Sequence, residues 1–262
     1  MPAGRSGCVS CAAPSTSSRG TDTSAVEESA RRDGPAEHHQ EPLRPAEERS
    51  VGILGGTFNP PHLGHLAIAR HAHEELGLER VVMMPAHIPP HKGSAQDPGP
   101  RHRLRMCRLC VAGLDGLSVC ALEIERGGPS YTVDTLQAIH SSHANAELTF
   151  ILGADTASTL PAWREPARLL ELADLAVAAR AGSDYEGVLD TVERLLAVGR
   201  PDTGDGRSAT VRFLDMPAIE VSSSMVRERA ARGAPIEDLV GEAVAGYIHE
   251  HDLYSGRSLV RS

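Results

Sequence analysis

Aromatic side chains are scarce, with three Phe, four Tyr and one Trp among 262 residues. A core built from this composition has to come mostly from Leu, Val, Ile and Ala. Long apolar runs are missing as well. No stretch of 18 or more apolar residues occurs, and no apolar segment follows a basic N-terminus, so neither a membrane span nor a secretory signal is supported. Positive charge is in deficit: 26 Lys and Arg against 35 Asp and Glu leave a formal net charge of −9. That balance argues against a nucleic-acid binder working through a general basic surface. It leaves room for a small anionic substrate, because a few local donors outweigh a distant field screened by salt. Cysteine is sparse and odd in number, five in all, which fits a reducing cytoplasm and not a disulfide scaffold.

What remains is enough for one α/β domain with a sizeable core plus an appendage. Residues 1–48 are rich in Ser, Ala, Pro, Gly and charge, with almost no periodic apolar positions, and read as a disordered extension. A start codon assigned too early would explain them equally well. Cys8 and Cys11 form a C-x-x-C there, without a second pair at zinc spacing. The domain proper is expected over residues 49–258.

That domain is organised around Val51 to His65, VGILGGTFNPPHLGH. An apolar run, two glycines, a prolyl turn and then an amphipathic pattern describe a buried strand, a tight loop and a helix start. The stripe Leu66, Ala69, Ala72 and Leu76 carries the helix to Gly77. Glycine lets backbone N–H groups approach a ligand closely, and a helix N-terminus attracts anions. His62 and His65 enter this element three residues apart, where two imidazoles can donate to an anion and take up developing charge.

Further strands are expected at Val81–Met84, Leu117–Ile124, Leu148–Leu152, Leu175–Ala179 and Val211–Leu214. Helices are expected over Arg101–Leu114, Thr132–Ser142, Tyr185–Val198 and Ile236–Tyr247. Strands alternating with helices call for a doubly wound parallel sheet. Ligands of such sheets lie across the C-terminal strand ends. Several motifs fall there. The loop PAHIPPHK carries His91 and Lys92, and Lys92 is a phosphate-contact candidate beside the first motif. Gly153-Ala154-Asp155 sets a carboxylate past a strand end, suited to ribose hydroxyls or to ordering a loop. Trp163 follows a proline-containing loop in LPAW. In IEVSSSMVRERAARG three serines open a helix with Arg227 on its first turn, a combination of hydroxyls, helix N–H groups and a forked donor suited to phosphates. Cys107 and Cys110 form a second C-x-x-C, but Cys107 lies in an apolar helical stripe and reads as a small buried hydrophobe.

GGTFNPPHLGH resembles the signature of the nucleotidylyltransferase superfamily, with its H-x-G-H core, and Asn59 stands where many relatives have Asp. PPHK, SYT, G-x-D, LPAW and SSSMVR follow in the order found in the bacterial nicotinate-nucleotide adenylyltransferases. Ser224 replaces a threonine in the superfamily's I-S-S-T-x-I-R motif. The resemblance spans roughly residues 50–255. It implies a Rossmann-like nucleotidylyltransferase fold and transfer of the adenylyl group of ATP to nicotinate mononucleotide.

On that resemblance His62, His65 and Arg227 serve the triphosphate and its transition state. Gly55, Gly56, Thr57, Phe58, Gly153, Asp155, Ser222 and Ser223 complete the ATP contacts. Lys92, Tyr131, Thr132, Trp163 and Arg164 serve the mononucleotide, with the Thr132 backbone and the Arg164 N–H on the nicotinate carboxylate and Trp163 on the pyridine ring. Thr132 also suits a helix N-cap. Mg²⁺ is expected on the phosphates, without a protein metal ligand. A homo-oligomer is allowed. Two other readings stay open: a superfamily member using nicotinamide mononucleotide or phosphopantetheine, and a non-catalytic nucleotide-binding domain. A class I aminoacyl-tRNA synthetase fragment would need a K-M-S-K-S-like loop and a basic face, and this chain shows neither.

Overall fold

Val51, Gly52, Ile53 and Leu54 are all buried, so the first strand is covered on both faces, as a central parallel strand must be. The computed structural model describes residues 49–90, 96–179, 185–198, 209–216 and 219–256. Chain order begins with β1 (Ser50–Gly56), α1 (Leu63–Leu76), β2 (Arg80–Pro85), α2 (Pro100–Cys110) and β3 (Leu117–Val119). Two helices, α3 (Leu122–Arg126) and α4 (Thr132–Ser142), lead to β4 (Glu147–Gly153). Then come α5 (Ala154–Ala157), a 3₁₀ turn (Leu160–Ala162), α6 (Pro166–Leu172), β5 (Asp174–Ala179), α7 (Tyr185–Val198) and β6 (Val211–Asp215). The chain closes with α8 (Ser223–Ala231), α9 (Glu237–Val240) and α10 (Glu242–Glu250).

The six strands form one parallel sheet in the order β3-β2-β1-β4-β5-β6. Strand order reverses between β1 and β4, which opens a crevice at their C-terminal ends. Alternation along the strands feeds two cores. Val51, Ile53, Phe150 and Val177 face one side, packed with residues of α4, α6 and α7. Leu54, Met83, Ile151 and Ala176 face the other, against Ala69 and Ala72 of α1 and Cys107 of α2. A third cluster joins Met106 of α2, Val226 of α8 and the apolar residues of α9 and α10. The doubly wound Rossmann-like sheet expected from the strand–helix alternation is the sheet observed. Among the described residues no helix is long and apolar enough to cross a membrane.

Three expected elements end elsewhere, each because of a single identifiable residue. The strand expected to reach Ile124 stops at Val119. The Cys120 N–H still reaches the Met83 carbonyl at 3.1 Å, but the return donor would come from Pro85, which has no N–H. The chain therefore turns into α3. The helix expected to run to Leu114 ends at Cys110 because Gly113 takes a left-handed φ of 74°. The helix expected over Ile236–Tyr247 is two helices, broken at Gly241 with φ 81°, and α10 continues to Glu250.

Candidate active site

The signature loop leaves β1 at Gly56 and enters α1 through His62, the N-cap residue, whose backbone is extended. His62 and His65 occupy the N-cap and third helical positions, where a capping box normally joins a hydroxyl and a carboxylate. Here two imidazoles take those places. The His62 N–H donates to His65 Nδ1 at 3.2 Å, and the rings stack with centroids 3.7 Å apart. In neutral His65, an Nδ1 that accepts leaves the proton on Nε2. The helix cap thus selects the tautomer that carries its proton on Nε2.

Gly64, between them, has no room for a side chain. A Cβ there would lie 2.9 Å from Val221 Cγ1 and 3.0 Å from His62 Nδ1. Behind the histidines, the Phe58 ring is 2% exposed and meets His65 edge-on at 4.9 Å. Phe58 holds a left-handed φ of 52°, and its ring covers Gly56, where a Cβ would come within 3.0–3.2 Å of it. The ring therefore supports His65 from within the core.

The serine-arginine motif closes on this loop from the other end of the chain. Ser222 is the N-cap of α8, and its hydroxyl oxygen accepts from the Met225 N–H at 3.2 Å. The Ser223 hydroxyl donates to the Pro60 carbonyl at 2.8 Å. Arg227, expected on the first helical turn, sits at the fifth helical position, just past that turn, because the helix already begins at Ser223. Its Nη1 donates to the Asn59 carbonyl at 2.7 Å, its Nε to Gln96 at 3.3 Å and its Nη2 to Ser224 at 3.1 Å. His62, His65, Ser222, Ser223 and Arg227 are thus collected around one loop, although some 160 residues separate the two motifs in the chain.

A second group gathers around the start of α4. Tyr131 is the N-cap residue and Thr132 the first residue inside the helix, so Thr132 does not cap it; the Tyr131 backbone already has the extended conformation of that position. The Arg164 guanidinium lies over the Tyr131 ring, 4.8 Å from its centroid, and pairs with Asp134 at 3.2 Å. Trp163 is half-buried, its indole N–H donating to Thr159 at 3.0 Å and its ring edge-on to Phe150 at 6.0 Å. Gly153 ends β4, and Asp155 is exposed in the first turn of α5. Gly55 and Gly56 end β1, and Thr57 follows with its carbonyl held by Arg103. Lys92 lies outside the described residues, as does Cys8-x-x-Cys11.

Arg103 was not among the expected site residues. It is fully buried on α2, and its guanidinium donates to the carbonyls of Thr57 at 2.8 Å, Ala86 at 2.6 Å and His87 at 2.9 Å. Its Nε pairs with Asp97 at 3.0 Å. One side chain thereby ties the loop after β1 to the loop after β2. Its signal in the sequence is spacing, since Arg103 sits three and four residues before the buried Met106 and Cys107. A buried arginine needs partners on every side. The loop after β2 is joined in turn to the loop before α4 by Ser130, whose hydroxyl accepts the His87 N–H at 2.9 Å. On the same helix Cys107 is buried and Cys110 half-buried, and desolvation pushes the Cys110 thiol up to about 11 and that of Cys107 well above its ordinary value.

A parallel sheet thus carries two imidazoles at its first crossover, and an arginine from α8 returns to the same loop. The cytidylyltransferase-like family matches residues 53–229, and the chain belongs to it. A relative from Symbiobacterium thermophilum named "Probable nicotinate-nucleotide adenylyltransferase" is 40% identical over 204 residues, 78% of this chain and 94% of the relative. One of the same name from Geobacillus thermodenitrificans is 37% identical over 210 residues, 80% of this chain and 88% of the relative. Within the family, this chain stands among the nicotinate-nucleotide adenylyltransferases. The fold is shared with nicotinic acid mononucleotide adenylyltransferase of Plasmodium falciparum, solved in complex with NaAD. There the TM-score is 0.62 at 17% identity, over 79% of this chain and 97% of that one.

Proposed function

We propose that this chain transfers the adenylyl group of ATP to nicotinate mononucleotide, giving nicotinate adenine dinucleotide and pyrophosphate. One observation carries the reading. In a member of this family, the His62–His65 cap and the Arg227 guanidinium converge on the loop Asn59-Pro60 at a β1/β4 switch point.

The attacking group is an oxygen of the mononucleotide's 5′-phosphate, already an anion, so no general base is required. That oxygen forms a bond to the α-phosphorus, and the bond to the oxygen bridging to the β-phosphorus breaks. Pyrophosphate leaves with that oxygen and its electron pair. The task left to the protein is alignment and charge stabilisation. His65, through Nε2–H, and His62 serve the α-phosphate. Arg227, the serine hydroxyls and the α8 N-terminus serve the β- and γ-phosphates, while the backbone at Gly55, Gly56, Thr57 and Phe58 lines the nucleotide. Gly153 and Asp155 are assigned to the ribose side. The acceptor is held by Tyr131, Thr132, Trp163 and Arg164, with Lys92 assigned to its phosphate.

ATP enters as its Mg²⁺ complex. The donor set at this site is imidazole, hydroxyl, guanidinium and N–H, complementary to phosphate oxygens and not to a bare cation. The phosphates and water therefore hold the ion. We assign the reaction to the cytoplasm, in keeping with Cys107, Cys110 and Cys120 being free thiols.

The test is pyrophosphate release from ATP and Mg²⁺ with nicotinate mononucleotide or nicotinamide mononucleotide at equal concentration. Fast release with the acid is expected. Release with the amide alone would discard the pocket assignment, and silence with both would discard the reaction.

A further inference from the structure

We propose that Tyr254, at the far end of the described chain, is a positioning residue for the adenylyl-transfer step. It acts through Asn59 on the loop that carries Arg227's anchor. The proposal rests on the adenylyl-transfer reading above.

Among the described residues, bonds from Arg227, Ser223 and Tyr254 hold the Asn59-Pro60 segment. Arg227 donates to the Asn59 main-chain carbonyl at 2.7 Å, and Ser223 to the Pro60 carbonyl at 2.8 Å. The third comes from the Tyr254 hydroxyl, which donates to Asn59 Oδ1 at 2.7 Å. Asn59 is 4% and Tyr254 8% exposed, so this bond is sheltered from water and has no ready substitute. Burial pushes the phenol far above its ordinary range, so it stays a donor at any working pH.

The backbone around it is unusual. Asp252 and Tyr254 take left-handed φ values of 50° and 60°, which non-glycine residues hold only when the surroundings impose them. The surroundings are the cluster of Val226, Ile236, Leu239, Val244 and Ile248, into which the Tyr254 ring packs. Val226 immediately precedes Arg227 on α8. The C-terminal segment therefore supports both ends of the Arg227–Asn59 bond: the helix through Val226 and the loop through the Tyr254 hydroxyl. An arginine that stabilises phosphate charge gains from a fixed anchor, since small misplacements cost large factors in rate.

The test is Tyr254→Phe, which removes one oxygen and keeps the ring. In steady-state assays kcat/KM for ATP is expected to fall about ten-fold while KM for the acceptor stays within about two-fold. In an Arg227→Ala background the same change should cost less than about two-fold, because the effect travels through Arg227. Asn59→Leu cuts the same bond from the other side and should match Tyr254→Phe, whereas Asn59→Asp keeps the acceptor oxygen and should restore the rate. Either bond-cutting variant suffices if the other folds poorly. A purely structural role predicts a lower Tm, unchanged ATP kinetics per folded enzyme, and full additivity with Arg227→Ala. Any of those kinetic results overturns the proposal. An active wild type with an unaffected Tyr254→Phe removes only the positioning role. A wild type that transfers no adenylyl group removes the underlying reading as well.

Discussion

The N–H of His62 donates to Nδ1 of His65 at 3.2 Å, so the pair of histidines proposed to serve the α-phosphate also starts a helix. The two jobs separate in magnitude. A lost cap costs about 1 kcal/mol, whereas losing one donor to transition-state charge costs about 10²–10³ in rate. His65→Ala is accordingly expected to lower kcat by about 10²-fold or more with only a small fall in Tm. Steady-state kinetics and thermal unfolding on one preparation would show it. Near-normal turnover would remove His65 from the chemistry.

Gly64→Ala should be more damaging than any surface glycine change, because its Cβ would press on Val221 and on His62 at once. Val221 sits just before the α8 cap, so the clash would part the two helix starts to which the phosphates are assigned. The expected result is at least about a ten-fold loss in kcat/KM for ATP. A variant that matches the wild type in ATP titrations would refute the close approach of these helices.

Arg103→Met should damage the fold first. It strands three main-chain carbonyls in a buried place, at a cost on the order of 3–5 kcal/mol. For a domain of this size that is about 6–20 °C in Tm, taking about 2–4 °C per kcal/mol. Differential scanning calorimetry would measure it, and a Tm within a few degrees of wild type would contradict the bonding described. Arg103→Lys, with one charge but no fork, should fall between.

Alkaline pH should weaken the fold through the buried thiols. The folded-state values of Cys107 and Cys110 lie above an ordinary 9.0, with Cys110 near 11. A raised value means the native state holds the proton more tightly. The stabilisation is complete below pH 9 and is lost as pH rises through about 11. Tm measured between pH 8 and 11 should fall, and should fall less steeply in Cys110→Ala. Equal slopes would argue against a thiol contribution.

Much of the sheet was legible in the chain because buried parallel strands are short apolar runs and the helices between them keep a 3.6-residue stripe. The runs at Val51 and Leu148 and the helices Thr132–Ser142 and Tyr185–Val198 needed nothing more. Their ends were decided by single residues acting at a distance or by backbone angle. Pro85 ends β3 from the neighbouring strand, and Gly113 and Gly241 turn the chain by adopting angles that their helices cannot hold. A periodic pattern carries no information about a missing donor on another strand.

The site divides the same way. The residue types that suit phosphate — His62, His65, the serines and Arg227 — are visible in the sequence because that chemistry demands imidazole, hydroxyl and guanidinium beside helix starts. That they meet at Asn59 and Pro60, that a fully buried Arg103 binds two strand-end loops, and that Tyr254 reaches back across the domain were decided by tertiary packing alone. Hydrogen bonds between residues 16 to 195 positions apart leave no mark on local composition or period. They exist only once folding has brought the loops after β1 and β2 against α2, α8 and the segment after α10.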